Sequence, residues 1–323
     1  MRKMLNKEHI EGRIYQHDLV VKTVQNKDSD NFGKEFIAGN VEVAVDDEGL
    51  NVIPVHFTYV TEMTSSGKKS PTFSTLKKII DDNKTWVTAG KDEALKVKID
   101  TAIALNDFYT QNDELVSVKV NEGGFISTIN GELCADEKNA RNYFEADMLI
   151  TGVNLVEADE EKNIKEDYAV VKGAIFNFRN ALLPMEFIVK NPAGIKHFEG
   201  LGVTNSEPVF TKVWGKIVCE TKTTTVTEES AFGEAAVKTY ERKSKEWVIE
   251  GAASSPYDFG DEKVLTAEEV QKAAQDREVY LADIKKRADE YKMSKAAGTT
   301  AAPAIATSAV PTAAPAKQGG FTF

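Results

Sequence analysis

One succession of segments occurs twice in this chain, and the repeat limits the fold more than any other feature. Strand-like stretches run from Glu11 to Val24, Glu35 to Asp46 and Asn51 to Thr61, with an Asp-Asp-Glu-Gly turn between the second and third. After the loop TSSGKKSP, Ser70 and Pro71 open a helix through FSTLKKIIDD. Ser suits the N-cap because its hydroxyl accepts an orphan backbone N–H, and Pro suits the first helical position, where no N–H is needed. Strand segments Leu95 to Tyr109 and Leu115 to Ile129 complete the order β-β-β-α-β-β. Residues 144–251 repeat it: Phe144 to Glu157, Tyr168 to Phe178, Ala181 to Lys190, a helix AGIKHFEGL opened by Asn191-Pro192, then Val209 to Val226 and Lys238 to Glu250.

The halves share residues at matching places. The second strand carries Gly39 in one half and Gly173 in the other, and the third carries Pro54 and Pro184. Duplication predicts that these pairs align and that the halves form separate sheets of one strand order. The other explanation is two unrelated β-rich units with similar turns. Five strands with a helix between the third and fourth match the oligonucleotide/oligosaccharide-binding (OB) fold, where a Gly lets a strand bend at a barrel corner. The expected class is therefore mainly β: two OB-like five-stranded barrels over residues 1–135 and 136–255, a C-terminal helix within 256–295 and a disordered tail over 296–323.

Thr266-Ala-Glu-Glu269 is a capping box. The helix after it carries a narrow stripe of Val270, Ala274, Leu281, Ile284, Ala288 and Tyr291, which Arg277 interrupts. Such a stripe pairs with another helix or packs on the chain's own second domain. From Ala296 to Ala316 the chain is mostly Ala, Pro and Thr, which cannot bury a core and reads as a linker. It ends in Gly319-Gly320-Phe321-Thr322-Phe323.

No apolar run approaches the ~20 residues that span a bilayer, and no apolar stretch follows the charged N-terminus as in a secretory signal. Cys134 and Cys219 lie far apart and fit free thiols in a reducing cytoplasm. The net charge of −11 weighs against a general polyanion binder. The acidity is spread evenly along the chain, which leaves room for a local basic face. His9, His17, His56 and His197 lack metal-ligand spacing, and Gly67-Lys68-Lys69-Ser70 lacks the upstream Gly of a phosphate loop. With no nucleophile elbow either, the chain reads as a non-enzyme that needs no cofactor.

What stands out is aromatic residues interleaved with cations on strands. Alternation puts Lys212, Trp214 and Lys216 on one face, with Val213 and Ile217 toward the core. Lys243, Lys245 and Trp247 likewise share a face, and Tyr240 and Arg242 share the opposite one. A ring between two ammonium groups suits single-stranded nucleic acid, because a base stacks on the ring while phosphates meet the cations. The alternative for both tryptophans is a core anchor capped by lysine stems. In the first half Tyr59, Lys68 and Lys69 are groove candidates.

With these residues and the repeated order, the chain resembles the tandem OB-fold single-stranded DNA-binding proteins that phages encode for replication. The resemblance implies a protein of the host cytoplasm that coats exposed DNA strands during replication or recombination. It also implies a flexible C-terminal tip that recruits replication partners, here through Phe321 and Phe323. That family's tip is usually acidic, whereas Gly-Gly-Phe-Thr-Phe has no acidic side chain. The competing class is a non-enzymatic β-barrel structural or assembly protein of a phage virion, which accounts equally well for the acidity and the missing catalytic motifs.

Overall fold

The computed structural model describes the chain apart from residues 1–3, 65, 136–139, 161–163, 229–235, 259–260, 262–263 and 297–323, and within 221–243 and at 295–296 it describes backbone alone. The Ala/Pro/Thr linker and the tip with Phe321 and Phe323 lie outside the described residues.

The first half consists of β1 (Asn6–His17), β2 (Val20–Thr23), β3 (Glu35–Ala44), β4 (Val52–Thr61), α1 (Pro71–Asp82), a one-turn α2 (Trp86–Ala89), β5 (Lys96–Tyr109) and β6 (Leu115–Thr128). The second consists of β7 (Asn142–Val156), β8 (Tyr168–Phe176), β9 (Leu182–Val189), α3 (Pro192–Gly200), β10 (Val209–Glu228) and β11 (Ala236–Ala252), followed by α4 (Ala267–Ala296). The fold is mainly β, as expected. Both predicted caps form: the Ser70 hydroxyl accepts from the Phe73 N–H and the Asn191 side chain from the Ala193 N–H. Alternation sets the strand faces, so that in β5 Val97, Ile99 and Ile103 are buried while Lys98 and Asp100 face outward.

In the first half β1 pairs with β3, β3 with β4, β4 in parallel with β6, β6 with β5, and β5 with β1. The circuit closes. The second half repeats it: β7 with β8, β8 with β9, β9 in parallel with β11, β11 with β10, and β10 with β7. The strand order that duplication predicts is present in both halves.

The separate sheets are not. Asn6–Ile10 of β1 pair antiparallel with Asn142–Ala146 of β7, joining all eleven strands into one sheet. Each first strand gives its opening residues to this seam and its later residues to its own second strand, so the join has the form of a two-fold contact. One cluster of buried side chains runs through both halves, from Ile10 and Ile53 to Phe187 and Ile249.

Pro54 and Pro184 do lie in corresponding third strands, but the two glycines do not correspond. Pro54 stands opposite Glu42 and Pro184 opposite Ala174. Aligning the prolines therefore sets Gly173 beside Val41, two residues from Gly39. The glycines also differ in backbone conformation. Gly39 has φ +136° at a bulge, whereas Gly173 lets β8 approach β7 so closely that a Cβ would lie 2.0 Å from the Leu149 carbonyl oxygen.

The capping box of α4 forms in both directions, between Thr266 and Glu269. The helix packs on its own chain, and on both halves. Val264, Leu265, Val270 and Ala273 cover Leu149, Phe176 and Phe210 of the second half. Arg277, the interruption in the stripe, turns toward the first half and makes a two-pronged ion pair with Asp107 of β5, at 2.9 and 3.2 Å. Further on, Lys285 and Lys292 reach Asp113 at the tip of the β5–β6 hairpin, at 3.0 and 2.6 Å.

Candidate nucleic-acid interface

Trp214 stands on the outer side of β10, between buried Val213 and Gly215, and is 40% exposed. Its indole lies across β11: a Cβ on Gly251 would be 2.5 Å from the ring. That glycine gives the ring a flat backbone seat and leaves its other surface to solvent. Lys212 and Lys216 share the outward face, as alternation predicts, and Val213 and Ile217 point into the core. Each lysine is held by a carboxylate, Lys212 by Glu145 at 2.9 Å and Lys216 by Glu250 at 2.9 Å. The strand is fixed from the side by two amides. Asn142 and Asn51 both donate to the Ile217 carbonyl, and they accept from the Ile217 and Cys219 N–H groups.

The second trio does not form an outer face. Trp247 is fully buried, and its Nε1 donates to the Glu8 carboxylate at 2.7 Å. Lys245, on the same face, turns inward with its ammonium 5.0 Å from the Trp247 ring centre. Lys119, from the other half, sits 5.2 Å from that ring and donates to the Glu186 carbonyl at 2.8 Å. Trp247 and Lys245 are thus an internal joint between the halves, the core-anchor alternative. Lys243 lies on β11, and its side chain falls outside the described residues.

Tyr59, Lys68 and Lys69 belong to the other ring. Tyr59 is 46% exposed, with its ring 4.6 Å from Phe36. Lys68 is exposed in a loop tied by Thr64, and Lys69 lies 4.0 Å from Glu62.

The internal joint has an electrostatic cost. Burial pushes the Glu8 carboxyl up from its ordinary 4.5 to about 7, against the opposing pull of the Trp247 N–H, Lys245 and Thr101. Burial also lowers Lys119 to about 8 and moves Lys245 down. Folded Glu8 therefore holds its proton more tightly than the unfolded chain does. Its contribution to stability is complete below about pH 4.5 and is lost as pH rises to about 7, on the order of 3 kcal/mol in all. Glu8→Gln should remove this decline. Burial lowers His17 and His56, so their contributions to stability change with pH in the opposite sense. The check is urea unfolding of both proteins at pH 5 and 7.5, where the difference between them isolates Glu8.

Sequence reasoning missed three outward rings near the seam. Phe125 is 77% exposed on β6, and Tyr143 of β7 stacks on His9 of β1 at 5.3 Å and 24°. The doubled Gly123-Gly124 was the available signal. It shifts the β5–β6 register and sets Phe125 opposite Asp100 on the outer side. Among the described residues no group of three or more His, Cys, Asp or Glu side chains is placed to hold a metal ion. No helix among them is long and apolar enough to cross a membrane.

The sequence profile of YorF matches residues 6–287. The chain belongs to the YorF family. The YorF match takes in both rings, the Trp214 face, the Glu8–Trp247 joint and most of α4. No curated protein matches this YorF chain. Two solved structures resemble it at 10% identity and a TM-score of 0.45: the wild-type single-stranded DNA-binding protein from Thermus aquaticus and a deletion variant of it. They cover 81% and 80% of this chain and 98% of their own chains.

Proposed function

We propose that this chain binds single-stranded DNA without catalysis, coating strands exposed in replication or recombination, with the rings over residues 1–135 and 136–255 as its binding units. The observation that carries the reading is Trp214, a large ring held outward on a strand, seated on Gly251 and flanked by Lys212 and Lys216. One surface of the ring is braced and the other is free for a base, while the two ammonium groups stand where phosphates would pass. Glu145 and Glu250 occupy those ammonium groups in the unbound chain, so phosphates must displace carboxylates. That restrains affinity for nucleic acid in general and fits an acidic protein that binds by stacking.

Trp214→Ala should weaken binding to oligo-dT by about 1–3 kcal/mol. The ring is partly exposed, so thermal unfolding should hardly change. The paired measurement is a fluorescence titration and a melting curve. Unchanged affinity in a folded variant would remove Trp214 from the site.

Recruitment of replication proteins is assigned in this reading to Phe321 and Phe323 at the C-terminal tip. A chain ending at Lys295 should keep its oligonucleotide affinity and lose the partner. Pull-down of replication proteins and oligo-dT titration, run side by side, separate the two activities.

A further inference from the structure

The outward rings near the seam lie on one side of the joined sheet, and their positions form a line. Phe125 on β6 stands opposite Asp100 on β5, and Asp100 pairs with His9 on β1 in register and through a 2.9 Å side-chain contact. His9 stands opposite Tyr143 on β7, and the two rings stack. In the next row Lys7 of β1 faces Glu145 of β7, and Glu145 faces Trp214 of β10. The face is continuous only because β1 pairs with β7. Neither ring of strands holds it alone.

We propose, building on the reading above, that Phe125, Tyr143 and Trp214 are stacking platforms of one track for single-stranded DNA that crosses the seam between the halves. Three aromatic rings stand along it, and exposed Lys7 and Lys98 flank it beside the Trp214 lysines. Rings answer to bases and ammonium groups to phosphates, and bases of any sequence stack. Four strand spacings separate β6 from β10 across β5, β1 and β7, roughly 19 Å at about 4.8 Å each. At about 3.4 Å per nucleotide of a stacked strand, that holds about six nucleotides. His9 braces Tyr143 from one side, as Gly251 braces Trp214.

The test uses the full chain, the single variants Phe125→Ala and Tyr143→Ala, and Trp214→Ala as reference, each titrated with dT oligomers of twelve nucleotides and melted without DNA. Phe125 is so exposed that its truncation should leave the melting temperature unchanged. The track predicts that each variant weakens binding about 5- to 150-fold. If wild-type chain binds and Trp214→Ala weakens it while folded Phe125→Ala and Tyr143→Ala bind as wild type, the track is wrong and the single-strand reading survives. If the wild-type chain does not bind, both fall. A Tyr143→Ala variant that melts early is replaced by Tyr143→Leu, which keeps bulk and loses the aromatic ring. Wild-type affinity in that variant would equally overturn the track.

Discussion

Trp247→Ala is expected to cost about 3–5 kcal/mol of folding stability. Three losses combine. The largest fully buried side chain leaves a cavity between β11 of one half and β1 and β6 of the other. Glu8, with no exposed surface, loses the N–H that donates to its carboxylate. Lys119 and Lys245 lose the π surface both ammonium groups face, at 5.2 and 5.0 Å. Trp247→Phe separates these. It keeps most of the volume and a π face but not the donor, so it should cost about 1–3 kcal/mol, the penalty of a buried acceptor left without its partner. Urea unfolding measures both. Folded Trp247→Phe should bind oligo-dT like wild type, because the indole never reaches the surface. A stability change under ~1 kcal/mol for Trp247→Ala would contradict the buried position.

Arg277→Ala should cost about as much, about 3–5 kcal/mol, because it leaves a buried carboxylate uncompensated. The side chain of Asp107 is 1% exposed and that of Arg277 11%. Asp107 also accepts from the Ser117 hydroxyl, so the β5–β6 hairpin holds its carboxylate as well as the helix does. Replacing both residues together, as Asp107→Leu with Arg277→Met, should cost clearly less than the sum of the single changes, since no lone charge remains. The pair differs in kind from the Lys285 and Lys292 contacts to Asp113, which sit at the exposed hairpin tip, where water screens the charges and the pairs contribute little. The check is a double-mutant cycle by denaturant unfolding. Additive costs would mean that Arg277 and Asp107 do not act as a pair.

These two sites also mark what the sequence could and could not convey. Local signals carried through: the Ser70-Pro71 and Asn191-Pro192 caps, the Thr266–Glu269 box and the repeated strand order all depend on neighbours a few residues apart. Alternation stated that Lys245 and Trp247 share a face but not which face. The same rule described Lys212, Trp214 and Lys216, which point outward. What separates the two tryptophans is long-range: Trp247 meets Glu8 across 239 residues, and Trp214 meets Gly251 on the adjacent strand. Arg277 read as a flaw in an apolar stripe because its partner lies 170 residues away. The β1–β7 pairing was equally hidden, since an edge that accepts a foreign strand reads like any other edge. The matched glycines misled because a positive φ and a close strand approach both call for Gly and look alike in sequence.

The central claim is that the folded chain binds single strands through outward rings and cations, and one titration tests it most directly. Wild-type chain is mixed with oligo-dT at increasing salt while tryptophan fluorescence is followed. Binding should change the fluorescence of Trp214, and log affinity should fall with log salt at a slope of about −1.4 if Lys212 and Lys216 each meet one phosphate, at about 0.7 per single-strand contact. A double-stranded competitor of the same length should displace the oligomer poorly. A folded chain with no affinity for oligo-dT even at low salt, and no fluorescence response, would contradict the claim and leave the structural or assembly protein as the better account.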